Sequence, residues 1–419
     1  MGGFSSIYTG LSGVSANTES LSVIGNNIAN QGTVGFKSSR TRFADLVRSF
    51  RGAGIGAGAA QAGSGVAIES VQTDFGQGPV VRSSSAMDWA IDGNGFFVVK
   101  NSSGNTFYTR AGQFRLNVDK QRTRIVNPTG EALQGFLADE SGQIGSAVEE
   151  ISLSNEMEGK ATAAVSFLAN LDSSKDAIGL PFDADDASTY HFSVSEGIFS
   201  EGDDTAHTLT VYFTKTDVNT WDLHARVDDG AAVAGAAPLV FNENGALDSG
   251  GTQDFTLTVP GSPDSTQSLT IDFTGTTQYG LPFASLSQSQ DGYASGTLET
   301  ISLGGDGMLT GRFTNQREKT IGQVGLAAFE DPTGLTRLSY ELFAETGESG
   351  APTVLKPGDP WQEGQPAVGQ IQAYSVEQSN VDLGESFVDL ITTQFGIQAS
   401  SRAIQSSDDL IRVTLDLKQ

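Results

Sequence analysis

Cysteine is absent from all 419 residues, and histidine occurs three times. Without thiols there is no disulfide, no thiolate metal ligand, no cysteine nucleophile and no cross-link that begins from sulfur. His191, His207 and His224 stand 16 and 17 residues apart in strand-like text, with no i, i+4 pair and no HExxH, so they read as polar strand residues and not as a zinc site. GxSxG and a Gly-Lys-Ser/Thr phosphate loop are missing too, and no catalytic or cofactor-binding residue is expected. Basic charge is scarce: 24 Lys and Arg against 50 Asp and Glu give a net charge of -26, which argues against nucleic-acid binding. No apolar run reaches the roughly 18 residues a membrane helix needs, so no membrane insertion is expected. The first 36 residues hold no Lys or Arg and no long hydrophobic block; they do not resemble a cleaved secretory signal, and any export would keep the N-terminus.

What is present is glycine, 51 residues of it, with many Ser, Thr, Asn and Asp, a composition that favours turn-rich β domains. Segments such as "HTLTVYFTK", "TWDLHARV", "QDFTLTV" and "SLTIDFTG" alternate with period two between turn residues. Negative charge concentrates in the middle, where Glu149 to Asp291 carries 23 acidic and 4 basic residues. Such a segment is solvated and repels its own copies. Met1 to Ala60 has 2 acidic and 5 basic residues, namely Lys37, Arg40, Arg42, Arg48 and Arg51, and salt bridging to acidic neighbours explains them better than a phosphate site. The run Asp183, Asp185, Asp186 and the turn at Asp92 resemble fragments of calcium loops but lack the alternating ligands and closing Glu, so no metal site is assigned. The Gly-rich stretch from Gly52 reads as linker, since no strand–glycine–helix context surrounds it.

Both ends carry seven-residue apolar repeats. Ile7, Val14, Leu21 and Ile28 recur at the start with Leu11 between the first two, and Leu383, Leu390, Ile397, Ile404 and Ile411 at the finish with Phe387 one turn after Leu383. This spacing predicts two helices, the first from about Ser5 to Ala29, each with a seam for another helix. The intervening seam positions are read as Thr18 and Gly25 at one end and Gln394, Ser401 and Asp408 at the other. A lone amphipathic stripe must be buried either against the other end of the chain or against a neighbouring copy. The expected fold class is therefore mainly β and multidomain, with nested discontinuous domains and helical termini pairing in a coiled-coil-like inner domain. Its parts are residues 1–33 and 371–419 (helical ends), 34–72 (extended connecting region), 73–148 and 292–370 (inner β domain) and 149–291 (inserted acidic β domain).

The segment Val23 to Lys37, "VIGNNIANQGTVGFK", resembles the N-terminal signature of the bacterial flagellar rod and hook axial protein family, through Ala29, Asn30, Thr33, Gly35, Phe36 and Lys37. Ser379, Asn380, Val381, Asp382 and Leu383 are similar to its C-terminal motif, and "FGQGPV", "DWAIDGNGFFVV", "YTRAGQF" and "ALQGF" to its inner β domain. The sequence departs from the family pattern at Phe395 to Ser400. Its long inserted middle resembles hook members more than the shorter rod members. The resemblance implies a structural subunit, not an enzyme, that polymerises into a flexible curved tube transmitting torque from rod to filament. The helix-seam residues would be its polymerisation surface, and Phe4, Ile7 and Leu11 its export-recognition stretch. Implied partners are copies of itself, a hook cap, the distal rod protein, a hook–filament junction protein, the flagellar type III export apparatus and a hook-length ruler. A distal rod protein and a secreted β-rich adhesin or glycan-binding module are the alternatives.

Overall fold

A computed structural model describes residues 2–49, 61–119, 122–200, 203–260, 266–361 and 367–416. The chain divides into two compact units, one of Met1–Leu153, Ile301–Gly311 and Lys319–Gln419, the other of Ser154–Thr300 and Arg312–Glu318.

In the first unit, helix α1 (Gly2–Ala29) ends where Asn30 turns its side-chain amide back to the Asn26 carbonyl at 2.9 Å. A turn follows in which Gly35 takes φ 73°. A Cβ there would lie 2.5 Å from the Ala111 nitrogen, so both the positive φ and the close approach require glycine. The chain then forms an antiparallel pair, β1 (Ser39–Ser49) and β2 (Gln61–Thr73), with Phe43 opposite Ile68 and Ser39 opposite Thr73. Residues 34–72 were expected as an extended connection. The alternation in "RTRFADL" and "SGVAIESV" is enough for pairing, and small residues hid it from composition; the Gly-rich run 50–60 lies outside the described residues. Helix α2 (Leu383–Asp416) is capped by Asp382, whose Oδ1 accepts from the N–H groups of Gly384 at 2.7 Å and Glu385 at 3.1 Å.

The helical ends and a β-sheet belong to this one unit, not to separate ones. Strands Glu318–Val324, Ala132–Ala138, Phe96–Lys100, Thr106–Thr109, Leu342–Ala344 and Thr336–Arg337 lie side by side in that order. Phe75, Phe96, Tyr108, Phe329 and Phe343 make edge-on contacts beneath it, geometry that adds to their area burial. The returning chain closes on the start of the same unit: Gln370–Ala373 pairs with Trp89–Asp92, and Ser375–Glu377 with Val80–Arg82.

The second unit is a β-sandwich. One sheet orders Thr252–Thr258, Thr266–Asp272, Ala164–Asp172 and Thr277–Tyr279, with Ala284–Gln290 also on Ala164–Asp172. The other orders Phe192–Ser200, Asp203–Asp217, Thr220–Val227, Leu239–Phe241 and Leu247–Ser249. Thr220–Val227 alternates half-buried and buried without a break, as a strand with one core face must. Val165, Phe167, Leu209, Phe213, Trp221, Leu223, Leu269 and Phe273 from the two sheets share one core.

Candidate assembly surface

The two helices pack antiparallel. Gly10 faces Ile404, Gly13 faces Ser400, and Gly396 faces Asn17, so advancing along α1 means retreating along α2. On α1 the positions Gly10, Gly13, Asn17, Ser20, Ile24 and Asn27 are buried or half-buried with three–four spacing. On α2 the same holds for Ser386, Leu390, Thr393, Ile397, Ser400, Ile404, Ser407 and Ile411. The intervening seam positions of α2 are thus Thr393, Ser400 and Ser407, one residue before the expected Gln394, Ser401 and Asp408, of which Ser401 is also half-buried. Thr18 and Gly25 on α1 are exposed. The shift has a simple cause: small hydroxyl residues and glycine let the backbones approach, and hydropathy is blind to them.

Ile7, Val14, Leu21 and Ile28 are half-buried, whereas Leu11, Leu383 and Phe387 are exposed. The side chain of Phe4 lies outside the described residues. A second apolar face of α2 is uncovered, formed by Phe387, Val388, Ile391 and Phe395, with Leu410 and Val413 further on; Phe395 is 63% exposed. Phe43, Leu46 and Val71 of the β1–β2 pair are also exposed. Sequence periodicity finds only Phe387 of this second face, because it assigns one stripe per helix.

The motif residues meet in one place. Glu377, fully buried, accepts from Lys37 Nζ at 2.5 Å, from the Gly78 N–H at 2.8 Å and from Arg110 Nη1 at 3.3 Å. Lys37 also donates to the Gly76 carbonyl at 2.8 Å. Burial pushes the Lys37 ammonium below its ordinary value, the Arg110 charge pushes the same way, and Glu377 pulls it back. Arg110 is likewise lowered by burial and raised by Glu377. Asn380 ties the same passes: its Oδ1 accepts from the Ser38 N–H at 2.8 Å, and its amide donates to the Asp74 and Gly76 carbonyls at 2.9 and 3.1 Å. Phe36 is fully buried, with the Arg337 guanidinium 4.2 Å above its ring. Thr33 donates to Asn30 Oδ1 at 3.2 Å, and Ser379 Oγ accepts from the Val381 N–H at 3.3 Å. Glu377 and Arg110 were not singled out from sequence, since a buried partner more than 260 residues away leaves no local signal. Of the basic run, Lys37 pairs with Glu377, and Arg40 meets Glu385 at 3.2 Å on the surface.

The histidines do not converge. His207 Nδ1 meets Asp228 Oδ2 at 2.8 Å, His191 Nε2 lies 3.0 Å from the Asp176 carbonyl, and His224 stacks on Phe182 with centroids 3.8 Å apart. Among the described residues no three His, Asp or Glu side chains are arranged to hold a metal, and no helix is long and apolar enough to cross a membrane.

A chain whose two ends return to each other, close on one β unit and still leave an apolar helix face exposed has the form of a structural subunit with a surface left for a partner. Comparison with known proteins gives the family. Four family models match: "Flagella basal body rod protein" over residues 7–37, "Flagellar hook protein FlgE/F/G D1 domain" over 90–164, "Flagellar basal body protein FlaE D2 domain" over 170–293, and "Flagellar basal body rod FlgEFG protein C-terminal" over 372–417. The flagellar hook protein FlgE of Salmonella typhimurium is 32% identical across 97% of this chain and 98% of its own length. That of Borreliella burgdorferi is 30% identical across 99% of both. The solved structure of Helicobacter pylori flagellar hook protein FlgE2 is similar over 71% of this chain and 100% of that one, at 14% identity and a TM-score of 0.49. The chain belongs to the flagellar hook protein FlgE family. It is a structural subunit of the bacterial flagellar hook, an exported, self-assembling part of the flagellum.

Proposed function

We propose that copies of this chain stack by heterologous contacts into a flexible curved tube that passes torque from the rod to the filament. The observation that carries this reading is the uncovered apolar face of α2, from Phe387 through Phe395. An exposed face of this kind marks an interaction site, and α1 already occupies the opposite side of the helix. On this reading Leu11, Leu383 and Phe387 serve contacts between copies, while Leu390, Ile397, Ile404 and Ile411 shape the helix pair inside each copy, and Ile7, Val14, Leu21 and Ile28 flank it. The net negative charge between Glu149 and Asp291 suits a region that slides past its neighbours and does not adhere to them.

The wider reading follows the family resemblance. The subunit leaves the cell through the flagellar type III apparatus without a cleaved signal, with Phe4, Ile7 and Leu11 in the recognised stretch. It is added beneath a hook cap onto the distal rod protein, to a length set by a ruler, and is capped by a hook–filament junction protein. On this reading it acts as a structural subunit and not as an enzyme, in keeping with its family.

Ile391→Asp and Phe395→Asp test the surface. Each side chain buried between copies contributes about 1.5–3 kcal/mol, and a carboxylate in its place adds a desolvation cost. Both variants should keep a wild-type helix pair by hydrogen exchange and yet form no curved tubes by electron microscopy. Ile397→Asp should open the helix pair itself. Normal hooks and normal swimming with both Ile391→Asp and Phe395→Asp would remove this face from the lattice.

A further inference from the structure

In the second unit, one strand outruns its neighbour. Phe192, the first residue of strand Phe192–Ser200, lies opposite Phe213, yet the strand it pairs with continues to Asp217. Lys215 therefore turns its N–H and C=O to a side where that neighbour has not yet begun, and such edge groups need other partners. Two substitutes fill the place. Ile178 donates its N–H to the Lys215 carbonyl at 2.9 Å, and the Lys215 N–H donates to His191 Nδ1 at 3.2 Å. An imidazole stands where the ladder would otherwise supply a carbonyl.

This arrangement sets the protonation of the ring. Nδ1 must accept, so Nε2 carries the proton and donates it to the Asp176 carbonyl at 3.0 Å. The Lys215 ammonium in turn donates to the Ser173 and Lys175 carbonyls at 2.8 and 2.7 Å. His191 and Lys215 together thus tie down the start of the segment that joins strand Ala164–Asp172 to strand Phe192–Ser200. A second proton on His191 would set N–H against N–H. Burial opposes that charge most, Lys175 and Lys215 oppose it too, and Asp172 favours it; the balance holds the ring below its ordinary 6.5. Asp172 itself stays ionised, since hydrogen bonds from Ser174 hold its carboxyl below the ordinary range. The remaining neighbours, Trp221 and Phe283, are uncharged rings with centroids 5.4 and 6.3 Å away. The later part of the segment is anchored separately, by Phe182 stacked on His224 and by Asp185 at 2.8 Å from Arg226.

We propose that residues 173–180 form an acid-released strap: protonation of His191 breaks its bond to the Lys215 N–H, lifts the strap and uncovers the strand edge at Lys215, opposite Trp221. The open strap binds a proton that the closed one refuses. Closure is therefore complete above 6.5 and is lost as pH falls through the lower value of the closed state. The strap lies within one unit of one chain and does not depend on how copies assemble.

The test is hydrogen exchange followed by mass spectrometry on the full-length chain, with protection at each pH referred to the free peptide at that pH. With 6.5 for the open ring, a change from about pH 7.5 to about pH 5 shifts the balance by at most about thirtyfold. Protection over residues 173–180 and 214–217 should fall by about five- to thirtyfold, with strand Thr252–Thr258 unchanged. His191→Asn places an acceptor near Nδ1 and cannot titrate, so its strap should show the same protection at both pH values. His224→Phe keeps a ring against Phe182 and should respond to acid as the wild type does. Carbon-13 spectra of the three histidines supply a second reading, in which His191 should titrate in step with the loss of protection. Unchanged protection in the wild type overturns the proposal, as does an acid response that survives in His191→Asn or vanishes in His224→Phe. Titration of His191 out of step with the strap overturns it as well. So does acid loss of protection throughout the second unit, because acid would then be unfolding the sandwich and not releasing one segment.

Discussion

Gly10 and Gly25 lie in the same helix, and replacing each by alanine should move stability in opposite directions. Two effects compete. Alanine in a helix interior is favoured over glycine by about 0.8–1 kcal/mol. Against this, a Cβ on Gly10 would sit 2.6 Å from Ile404 Cγ1 and 3.3 Å from the Ser400 carbonyl oxygen. Contact at 2.6 Å is not tolerated, and Cγ1 is a branch atom held by its own helix, so α2 itself must shift. Overpacking of this kind costs about 1–3 kcal/mol. The clash wins, and Gly10→Ala should loosen the α1–α2 pair by about 1 kcal/mol. Gly25 is exposed, with nothing within 4 Å of its Cβ, so Gly25→Ala keeps only the propensity term and should stabilise by about 1 kcal/mol. Gly13→Ala meets only the Ser400 hydroxyl, at 2.8 Å; a rotamer change relieves it, and the variant should be near neutral. The assay is urea unfolding of the helical ends followed by far-UV circular dichroism, with hydrogen exchange locating the change. If Gly10→Ala stabilised as much as Gly25→Ala, the close approach of the two helices at Gly10 would be wrong.

Trp221 is fully buried and donates its indole N–H to Gln278 Oε1 at 2.8 Å; Trp221→Ala should cost the second unit about 3–5 kcal/mol, read as lost exchange protection in strands Asp203–Asp217 and Thr220–Val227 with strand Phe96–Lys100 unaffected. Acid should weaken the same unit through Asp291. Partial burial works to raise this carboxyl, but hydrogen bonds from Lys160 and from the Ala164 and Ala163 N–H groups outweigh it and hold it at about 2, against an ordinary 3.8. Below 3.8 the unfolded chain binds a proton that the folded one refuses, so the contribution is complete above that pH and is lost as pH falls through 2. With a third of the Asp291 side chain exposed, solvent screening leaves about 1 kcal/mol, and Lys160→Met should shrink the acid-dependent loss in a pH series of urea midpoints.

Strands were legible wherever one face meets a core and the other meets water. "TWDLHARV" alternates in sequence and in burial from Thr220 to Val227, because a single core face imposes period two. The β1–β2 pair was not legible. Its partner face is α1, to which it is joined by small polar contacts such as Thr41 Oγ1 to Ser20 Oγ at 3.0 Å and the Val66 N–H to Ser12 Oγ at 3.2 Å. A Cβ on Gly65 would lie within contact of Ser12. Such a face selects glycine and serine, the same residues that read as linker. The buried cluster was half legible: Lys37 stood out within a motif, but Glu377 is one acid among 50 Asp and Glu, and only the fold brings it to Lys37.

The heptads show where periodicity succeeds and where it misleads. On α2 the row Leu390, Ile397, Ile404 and Ile411 is half-buried at the seam spacing, and Ile404 packs into the space that Gly10 of α1 leaves open. On α1 the apolar row Ile7, Val14, Leu21 and Ile28 stands beside the seam, half-buried, while Gly10, Gly13, Asn17 and Ser20 occupy it. A helix that supplies holes carries its seam in its smallest residues, and its hydrophobic residues can then flank the contact. The partner that supplies knobs can spare apolar side chains for a second face, as α2 does at Val388, Ile391 and Phe395. The division of labour follows from size alone: two large rows would hold the helices apart, two small rows would leave a void, and one of each closes the pair. Under the proposed assembly it also separates the two jobs of α2, so that substitutions on the Ile397 row should report on the fold of one chain and substitutions on the Ile391 row on its contacts with the next.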